Sequence, residues 1–303
     1  RYFNSIFEIF IKDKIDFKVI APLYKNLYLK NLDNSFKKGL YIPRYPLNIF
    51  LKKFNNFISR TYINNCQHDV LHDTYYSEDT YKIKSKKKII TIHDLIHEKY
   101  PTYYDYKNLI KVRKKNFKSI DNFICVSEST KEDLLNIYDV PHEKIKVIYH
   151  GGDHLDKIKI DTNKQKFEFE KKITKPFIFY VGKRYRYKNF LLLINAFKNS
   201  SMLKKNFQII FFGGEKMNKK EAQIYKNANI SNQIIHLNGD DEILKYLYLN
   251  AKVMVSTSEY EGFGLNVLEA LKHDCPVVAK DIKVFRELYQ NNITYFDDED
   301  QTN

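Results

Sequence analysis

Short apolar runs alternate with amphipathic segments along the second half of this 303-residue chain. Runs with strand character occupy residues 177–182, 207–212, 233–237, 252–256 and 277–279, and one more strand is expected before residue 296. Helical periodicity lies between them, around residues 191–197, 218–228, 241–250 and 265–271. Alternation of this kind predicts a parallel, doubly wound α/β sheet with helices on both faces.

The first half of the chain shows a similar but less regular alternation. We expect helices at residues 2–11, 47–64 and 105–119, and strands at 17–22, 69–72, 89–92, 122–126 and 144–149. Pro22 is expected to stop the first strand, and residues 25–46 to form loops with one short helix. The length of the chain favours two domains. We place them at 1–152 and 153–303, joined by a Lys/Glu-rich crossing at 154–174.

Residues 253–279 read as a strand, a polar turn, a short helix and a second strand, which is a βαβ unit. In such units a ligand sits at the carboxyl end of the strand, over the helix N-terminus. Gly262 and Gly264 have no Cβ, so a ligand can approach the backbone, and the helix N–H groups favour an anion. The turn therefore predicts a phosphate site. The two carboxylates that frame it, Glu261 and Glu269, are either part of this site or ordinary solvated residues.

A second candidate lies where the strand at 177–182 runs into the next helix. Residues 182–189, Gly-Lys-Arg-Tyr-Arg-Tyr-Lys-Asn, place four cations within six residues. Their repulsion must be compensated by solvent or by an anion such as a diphosphate, which Arg binds bidentately and Lys as a point charge. The loop is thus either a diphosphate clamp or a solvated basic loop.

The strand at 89–92 ends in His93-Asp94, at the edge of the first predicted sheet. His93 can donate to a sugar hydroxyl or a phosphate, while Asp94 can hold its tautomer or cap the next turn. The pair is also common at strand ends with no functional role.

Several of these motifs resemble one family. E-G-F-G-L-N-V-L-E-A-L at residues 261–271 resembles the Glu-x7-Glu signature of family 4 of the retaining, nucleotide-sugar-dependent glycosyltransferases. T-I-H-D-L, I-C-V-S-E-S-T-K-E-D-L-L and the G-x-R-x-x-Y-K-N pattern beginning at Gly182 are similar to the family as well. The resemblance implies the GT-B fold, in which two Rossmann-like domains face an interdomain cleft, with the acceptor on the first domain and the donor on the second.

The resemblance also assigns roles to residues. Glu261 contacts donor-sugar hydroxyls, Glu269 holds the nucleotide ribose, and His93 lies against the sugar. Arg184 and Lys188, in the loop that begins at Gly182, clamp the diphosphate, with Arg186 as the alternative arginine. The amides around Gly262, Phe263, Gly264 and Leu265 complete the donor site. Because family members carry a Gly-rich turn before an Arg-Tyr pair like Arg1-Tyr2, and a final crossover helix, the resemblance implies that both ends of the domain pair are missing from the sequence.

The function expected on these grounds is retaining, metal-independent transfer of a hexosyl group, mannosyltransferase-like, without a cofactor. The donor would be a nucleoside diphosphate sugar, and the acceptor a saccharide or lipid-linked molecule in cell-surface polysaccharide or glycolipid synthesis. One alternative is a catalytically inactive GT-B-fold protein that binds an anionic partner, either a membrane surface or nucleic acid. A sugar-nucleotide epimerase is a weaker alternative, because the Glu pair and the clamp match the transferases better.

Composition and charge refine this picture. The net charge of +14 is uneven, with 27 Lys and Arg against 17 Asp and Glu in residues 1–150. This excess favours an anionic partner such as phospholipid headgroups or a lipid-linked phosphate, although a Lys-rich solvated surface explains it too. A basic amphipathic helix at 105–119 can rest on a membrane or on its own domain. We therefore expect a cytoplasmic protein or a peripheral one on the inner membrane face, and we do not favour nucleic acid as its partner.

Other chemistries find little support in the sequence. The three cysteines are odd in number and lack C-x-x-C spacing, which argues against a disulfide scaffold. Neither a P-loop nor a G-x-S-x-G elbow is present. Asp298-Glu299-Asp300 has the spacing of a metal-binding D-x-D motif, but it follows the last predicted strand and is expected to be solvated.

Overall fold

The structure is a computed structural model that describes residues 2–43, 49–74, 80–103, 106–161, 172–184 and 186–297. Expectations that concern Arg1, Tyr185 and Asp298-Glu299-Asp300 lie outside the described residues. Contacts between Cα atoms divide the chain into two compact units. The first comprises Arg1–Val126 and Thr130–Tyr149, and the second comprises Ser127–Ser129 and His150–Asn303.

The first unit contains two parallel sheets. Strands β1 (Val19–Tyr24) and β2 (Lys37–Tyr41) pair with each other, and β3 (Val70–Asp73), β4 (Lys87–Ile92), β5 (Asn122–Cys125) and β6 (Ile145–Val147) form a second sheet in that order. Its helices are α1 (Tyr2–Lys12), α2 (Leu27–Asn31), α3 (Ile49–Asn64), α4 (Ile96–Lys99), α5 (Tyr106–Phe117) and α6 (Glu128–Ile137). Parallel strands require crossover connections, and α2 lies between β1 and β2, α4 and α5 between β4 and β5, and α6 between β5 and β6.

Two expectations for this unit were wrong. Pro22 does not stop the first strand, because β1 continues to Tyr24. The pairing of β1 with β2 shifts register between Ile20 and Leu23, and a proline is tolerated at such an irregularity because no ladder N–H is needed there. Residues 25–46 contain the expected short helix α2, but they also contain strand β2.

The core of the first unit explains how α5 is oriented. Phe117 is buried with Phe123, Ile90 and Ile92 in one hydrophobic cluster. Arg113, which we expected on the basic side of the helix, is buried too, and its guanidinium pairs with Glu98. The lysines at 111, 114, 115 and 118 remain exposed. Helix α5 therefore docks on its own domain along one side and keeps a basic outer face.

The second unit is one six-stranded parallel sheet. Its strands are β7 (Phe177–Val181), β8 (Gln208–Phe212), β9 (Ile234–Leu237), β10 (Val253–Ser256), β11 (Val277–Lys280) and β12 (Thr294–Phe296). The helices are α7 (Phe190–Asn199), α8 (Ser201–Asn206), α9 (Lys219–Asn227), α10 (Asp241–Asn250), α11 (Leu265–Lys272) and α12 (Lys283–Tyr289). The predicted doubly wound alternation is confirmed, with α8 as an additional short helix.

Both faces of this sheet are covered. Along β7, Phe177 and Phe179 belong to one hydrophobic cluster, whereas Ile178 and Tyr180 belong to another. Successive side chains of a strand point to opposite faces, so the two clusters are two helix layers on either side of the sheet. Within the described residues, no helix is both long and apolar enough to cross a bilayer.

Candidate functional site

The strand order of the second unit identifies where a ligand should bind. The sheet runs β12-β11-β10-β7-β8-β9, so the chain winds outward from β7 in one direction and from β10 in the other. The two strands are neighbours, with Val253 opposite Ile178 and Met254 opposite Phe179. Doubly wound sheets bind ligands at such a reversal, in the crevice outside the carboxyl ends of the strands. The basic loop leaves β7 and the glycine turn follows β10 at this point.

Hydrogen bonds join these two loops directly. Thr257 Oγ1 donates to the carbonyl oxygen of Lys188 at 2.7 Å, and the Glu259 N–H donates to the carbonyl oxygen of Tyr187 at 2.8 Å. Asn189 Nδ2 donates to Glu259 Oε1 at 3.2 Å. The spacing between the basic loop and the turn is therefore fixed by the protein itself.

A buried tyrosine supports the basic loop from beneath. The Tyr180 hydroxyl lies 3.2 Å from the carbonyl oxygen of Lys183 and 3.1 Å from that of Lys188, so it spans the loop. Burial raises the pKa of Tyr180 far above its ordinary value, which keeps the hydroxyl protonated as a donor. Tyr180 thus fixes the backbone from which the Lys188 side chain projects.

Lys188 and Glu261 form an ion pair across the two loops. Their side chains are 18% and 13% exposed, so the pair is largely shielded yet open to solvent on one side. The ammonium group of Lys188 also lies 5.3 Å from the centre of the Tyr187 ring. An ammonium has three donors, so Lys188 can hold Glu261 and a phosphate oxygen together.

The glycine turn adopts a backbone conformation that requires glycine at position 264. Gly264 adopts φ = +87°, and a Cβ there would overlap the Phe285 ring. The Tyr289 hydroxyl donates to the Gly264 carbonyl oxygen at 2.8 Å and holds the turn from the core side. Gly264 is the N-cap of α11 and supplies no side-chain cap, so the first N–H groups of α11 have no capping side chain. Phe263 is buried, its ring 4.9 Å from that of His150, and Gly262 is also buried.

Glu269 lies in helix α11, which follows the glycine turn. It is only 4% exposed, so it is not a solvated surface residue. Its Oε2 accepts a hydrogen bond of 2.9 Å from the Tyr248 hydroxyl. Its Oε1 lies 2.9 Å from His154 Nε2. Both carboxylate oxygens are therefore held by other side chains of the second unit.

Arg184 points toward the loop after β8. The residue is 6% exposed, with Nε 3.1 Å from Glu221 Oε1 and Nη1 3.1 Å from the Gly213 carbonyl oxygen. Nη2 donates to the carbonyl oxygen of Glu215. Arg186 of the same loop is exposed, and both arginines line a cavity of about 330 Å³ with Glu215, Lys216, Asn218 and Glu221. Arg184 thus connects the loops after β7 and β8.

His93 belongs to the first unit and follows β4. Its ring contacts those of Tyr2 and Phe3 edge-on, with centroids 5.5 and 5.9 Å away. Burial lowers the pKa of His93, against the opposing effects of Asp94 and a hydrogen bond to the backbone of Thr74. Asp94 Oδ1 accepts from the Ile96 N–H at 3.1 Å, so Asp94 caps the next turn.

The second unit therefore brings Lys188, Glu261 and the glycine turn to one edge of one sheet, at the end of β7, and Glu269 lies further along the helix that begins at this turn. Arg184 reaches toward a neighbouring loop. The roles of these residues and of His93 in binding or catalysis stay predictions. Within the described residues, no group of three or more His, Cys, Asp or Glu is arranged to hold a metal ion, and metal independence stays a prediction as well.

Sequence reasoning missed the supporting side chains. Tyr180, Tyr248 and Tyr289 belong to none of the predicted motifs, and His154 falls in the crossing that we expected to be exposed. Each lies on a different element from the group that it supports, so no local spacing reveals the contact. The available signal was weak, namely polar-tipped side chains inside otherwise apolar stretches.

Two family models match the chain, one in each half. The model of glycosyltransferase family 4 matches residues 8–154, and that of glycosyl transferases group 1 matches residues 161–301. Together they account for nearly all of the sequence.

Curated relatives agree with these matches. The chain is 28% identical over 221 residues to the O-antigen chain mannosyltransferase RfbU of Salmonella typhimurium, which covers 71% of this chain and 58% of the relative. It is 28% identical over 202 residues to the poly(ribitol-phosphate) alpha-N-acetylglucosaminyltransferase of Staphylococcus aureus, which covers 66% of this chain and 38% of the relative. The chain thus spans less than two thirds of the length of either relative.

Solved structures share the architecture. The Anabaena protein HepE, solved in complex with UDP and glucose, superposes with a TM-score of 0.69 at 16% identity, covering 90% of this chain and 75% of HepE. At this level of identity the likeness concerns the fold alone. With a glycosyltransferase model matching each half and the GT-B architecture in its structural neighbours, the chain belongs to the GT-B glycosyltransferases of the family 4 type.

Proposed function

We propose that the chain is the core of a retaining, metal-independent glycosyltransferase that moves a hexosyl group from a nucleoside diphosphate sugar to a saccharide or lipid-linked acceptor. One observation carries the proposal. The Lys188–Glu261 ion pair stands beside an uncapped helix N-terminus, at the point where the strand order of the sheet reverses. The cation and the backbone N–H donors can bind the phosphate oxygens of a sugar diphosphate. The carboxylate can accept hydrogen bonds from the hydroxyls of its sugar.

The chemistry follows from the charge that develops. As the bond between the sugar and the diphosphate breaks, negative charge grows on the leaving phosphate. Donors that are already in place stabilise this charge without reorganising, and such stabilisation is usually the largest catalytic term. Lys188 supplies a full positive charge, and the first N–H groups of α11 supply the positive end of a helix dipole.

Glu261 has a complementary task. Its carboxylate accepts hydrogen bonds from donor-sugar hydroxyls, the role that the family resemblance implies. The contact with Lys188 holds the Glu261 side chain at the junction of phosphate and sugar. Glu261 thus orients the sugar that is transferred, while Lys188 stabilises the diphosphate that leaves. His93 is proposed to contact the sugar as the resemblance implies.

The arginine contribution has two candidates. Arg184 carries five N–H hydrogens, and each of its three nitrogens already donates one within the protein. One hydrogen on each terminal nitrogen remains for a phosphate oxygen. Arg186 is exposed in the same loop. We keep Arg184 as the first candidate and Arg186 as the second.

The relatives support a hexose donor and a surface-polymer acceptor. One curated relative is named as an O-antigen mannosyltransferase and another as an N-acetylglucosaminyltransferase acting on poly(ribitol phosphate), and the neighbour HepE was solved with UDP and glucose. We therefore propose that the acceptor belongs to cell-surface polysaccharide or glycolipid synthesis, and that the transferred sugar is mannose-like.

Mass spectrometry after incubation with a panel of nucleoside diphosphate sugars tests the proposal. We expect slow hydrolysis of one donor in the absence of acceptor, at the same rate with and without EDTA. Loss of hydrolysis in EDTA would contradict metal independence. A chain that neither hydrolyses nor binds any donor would contradict the enzymatic function and support the inactive, anion-binding alternative.

Peripheral contact with the inner membrane face is a separate proposal. The exposed lysines at 111, 114 and 115 on α5 and at 118 just after it support it, because each basic residue near an anionic surface contributes about 1 kcal/mol. Co-sedimentation with vesicles that contain anionic lipid tests it. We expect binding that weakens with salt and with replacement of these lysines by glutamine, and no binding at low salt would refute it.

A further inference from the structure

Glu269 poses an electrostatic problem that two side chains solve. A carboxylate with 4% exposure has lost most of its hydration and must be compensated by hydrogen bonds. Tyr248, which is fully buried, donates to Oε2, and His154 Nε2 lies at hydrogen-bond distance from Oε1. Since a carboxylate only accepts, Nε2 carries the proton in this contact.

His154 is held in place by the helix that carries Glu269. It lies in a short 3-10 turn, Asp153–Leu155, whose Leu155 is fully buried in the core. Lys272, in the last turn of α11, donates to Asp156 Oδ2 at 2.8 Å and to Asp153 Oδ1. These bonds fix the backbone on both sides of His154.

A close backbone approach completes this docking. A Cβ at position 152 would lie 2.7 Å from Cδ of Lys272 and 3.0 Å from Cγ of Leu268, so the glycine there allows the turn to lie directly against α11. The turn that presents His154 is therefore a built part of the second unit rather than a loose crossing.

The two donors determine what Glu269 can still do. A carboxylate has about four lone-pair sites, so an oxygen that accepts from Tyr248 or His154 can accept more than one hydrogen bond. Two neighbouring acceptors match two neighbouring hydroxyl donors, which is the arrangement of the 2′ and 3′ hydroxyls of a ribose.

We propose that His154 is a positioning residue for Glu269, fixing the plane of its carboxylate so that both oxygens meet the hydroxyls of the donor ribose. This inference rests on the proposed function, since it assumes that the site takes a ribonucleoside diphosphate. His154 does not itself touch the nucleotide. It discriminates ribose from deoxyribose through the carboxylate that it orients.

A matched pair of amide variants tests the role. The His154→Gln variant keeps an N–H donor near the position of Nε2. The side chain in His154→Asn is one carbon shorter, so its N–H donor does not reach Glu269. His142→Asn makes the same change at an exposed histidine of the first unit and serves as the control. Isothermal titration compares the nucleoside diphosphate that binds the wild-type chain with its 2′,3′-dideoxy analogue.

We expect His154→Asn to weaken binding of the ribonucleotide about tenfold, the effect of losing a hydrogen bond to a charged group, and to leave the dideoxy analogue unchanged. His154→Gln and His142→Asn should bind both as the wild type does. Equal weakening of both ligands by His154→Asn, or no weakening of either, would overturn the positioning role. If the wild-type chain binds no nucleoside diphosphate at all, the proposed function fails first, and this inference falls with it.

Discussion

Replacing Lys188 with methionine isolates the cation that the proposed mechanism needs. Methionine retains much of the length of the side chain but not its charge. The backbone of Lys188 should stay in place, because its carbonyl oxygen is held by Tyr180 and Thr257. Glu261 is 13% exposed and keeps some access to water, so we expect a stability loss of about 1 kcal/mol rather than the 3–5 kcal/mol of a fully buried pair.

The effect on catalysis should be much larger than the effect on stability. Removing one preorganised donor from a developing negative charge costs about 3 kcal/mol, or about a hundredfold in kcat. Lys183→Met is the matched control, because Lys183 lies in the same loop with an exposed side chain. Donor hydrolysis or transfer is measured for both variants at saturating donor. A Lys188→Met enzyme as active as the Lys183→Met enzyme would refute the assignment of the leaving-group cation.

Three further predictions concern the frame of the site. Gly264→Ala should lower the free energy of unfolding by about 1–3 kcal/mol in urea denaturation, since φ of +87° is strained for alanine and its Cβ would overlap Phe285; unchanged stability would show that the turn relaxes freely. Arg184→Met should destabilise the second unit by about 3–5 kcal/mol because Glu221 is left buried without a cation, and Glu221→Gln in the same chain should restore part of the loss; an unaltered melting temperature would argue that Arg184 is free for the ligand. Burial, reinforced by the nearby Arg184 charge, lowers the pKa of His236 to about 4, so the unfolded chain takes up the proton first and stability should fall as pH drops from about 6.5 towards 4. Between pH 7 and 5 the wild type should lose about 2 kcal/mol more than His236→Phe, and identical losses would contradict this.

The regular helices and strands could be predicted from the sequence because apolar residues recur in it with a clear helical or strand period. In the second unit, the central strands β7 and β8 are almost entirely buried, and helix α7 carries five buried apolar side chains, so these elements stand out from their neighbours. The errors in the first unit have a local cause. Strand β2, with the sequence Lys-Lys-Gly-Leu-Tyr, is mostly exposed and has little apolar signal, and its pairing with β1 depends on contacts that are distant in sequence.

The site was predictable where it depends on backbone geometry. A strand, a glycine turn and a helix place Glu261 and the N-terminus of α11 at a sheet edge whatever the rest of the chain does. The directions of long side chains were not predictable. Arg184 and Arg186 are two residues apart in one basic loop, yet the former is buried against Glu221 and the latter is exposed. Only the position of the loop after β8 decides between them.

The crossing after residue 152 shows the same limit in another form. Its Lys/Glu-rich sequence indicates an exposed segment. Two contacts nonetheless hold the turn that contains His154. Leu155 is buried in the core, and Lys272 bonds to Asp153 and Asp156 on either side of His154 and Leu155. Charge complementarity between separate segments is invisible to a pattern read along the chain.

A crystal structure with the bound nucleoside diphosphate tests the central claim most directly. We expect the terminal phosphate within hydrogen-bond distance of Lys188 Nζ and of the first N–H groups of α11, and the ribose hydroxyls on the Glu269 carboxylate. A nucleotide bound elsewhere in the second unit, with Lys188 and Glu261 still paired and untouched, would contradict the claim.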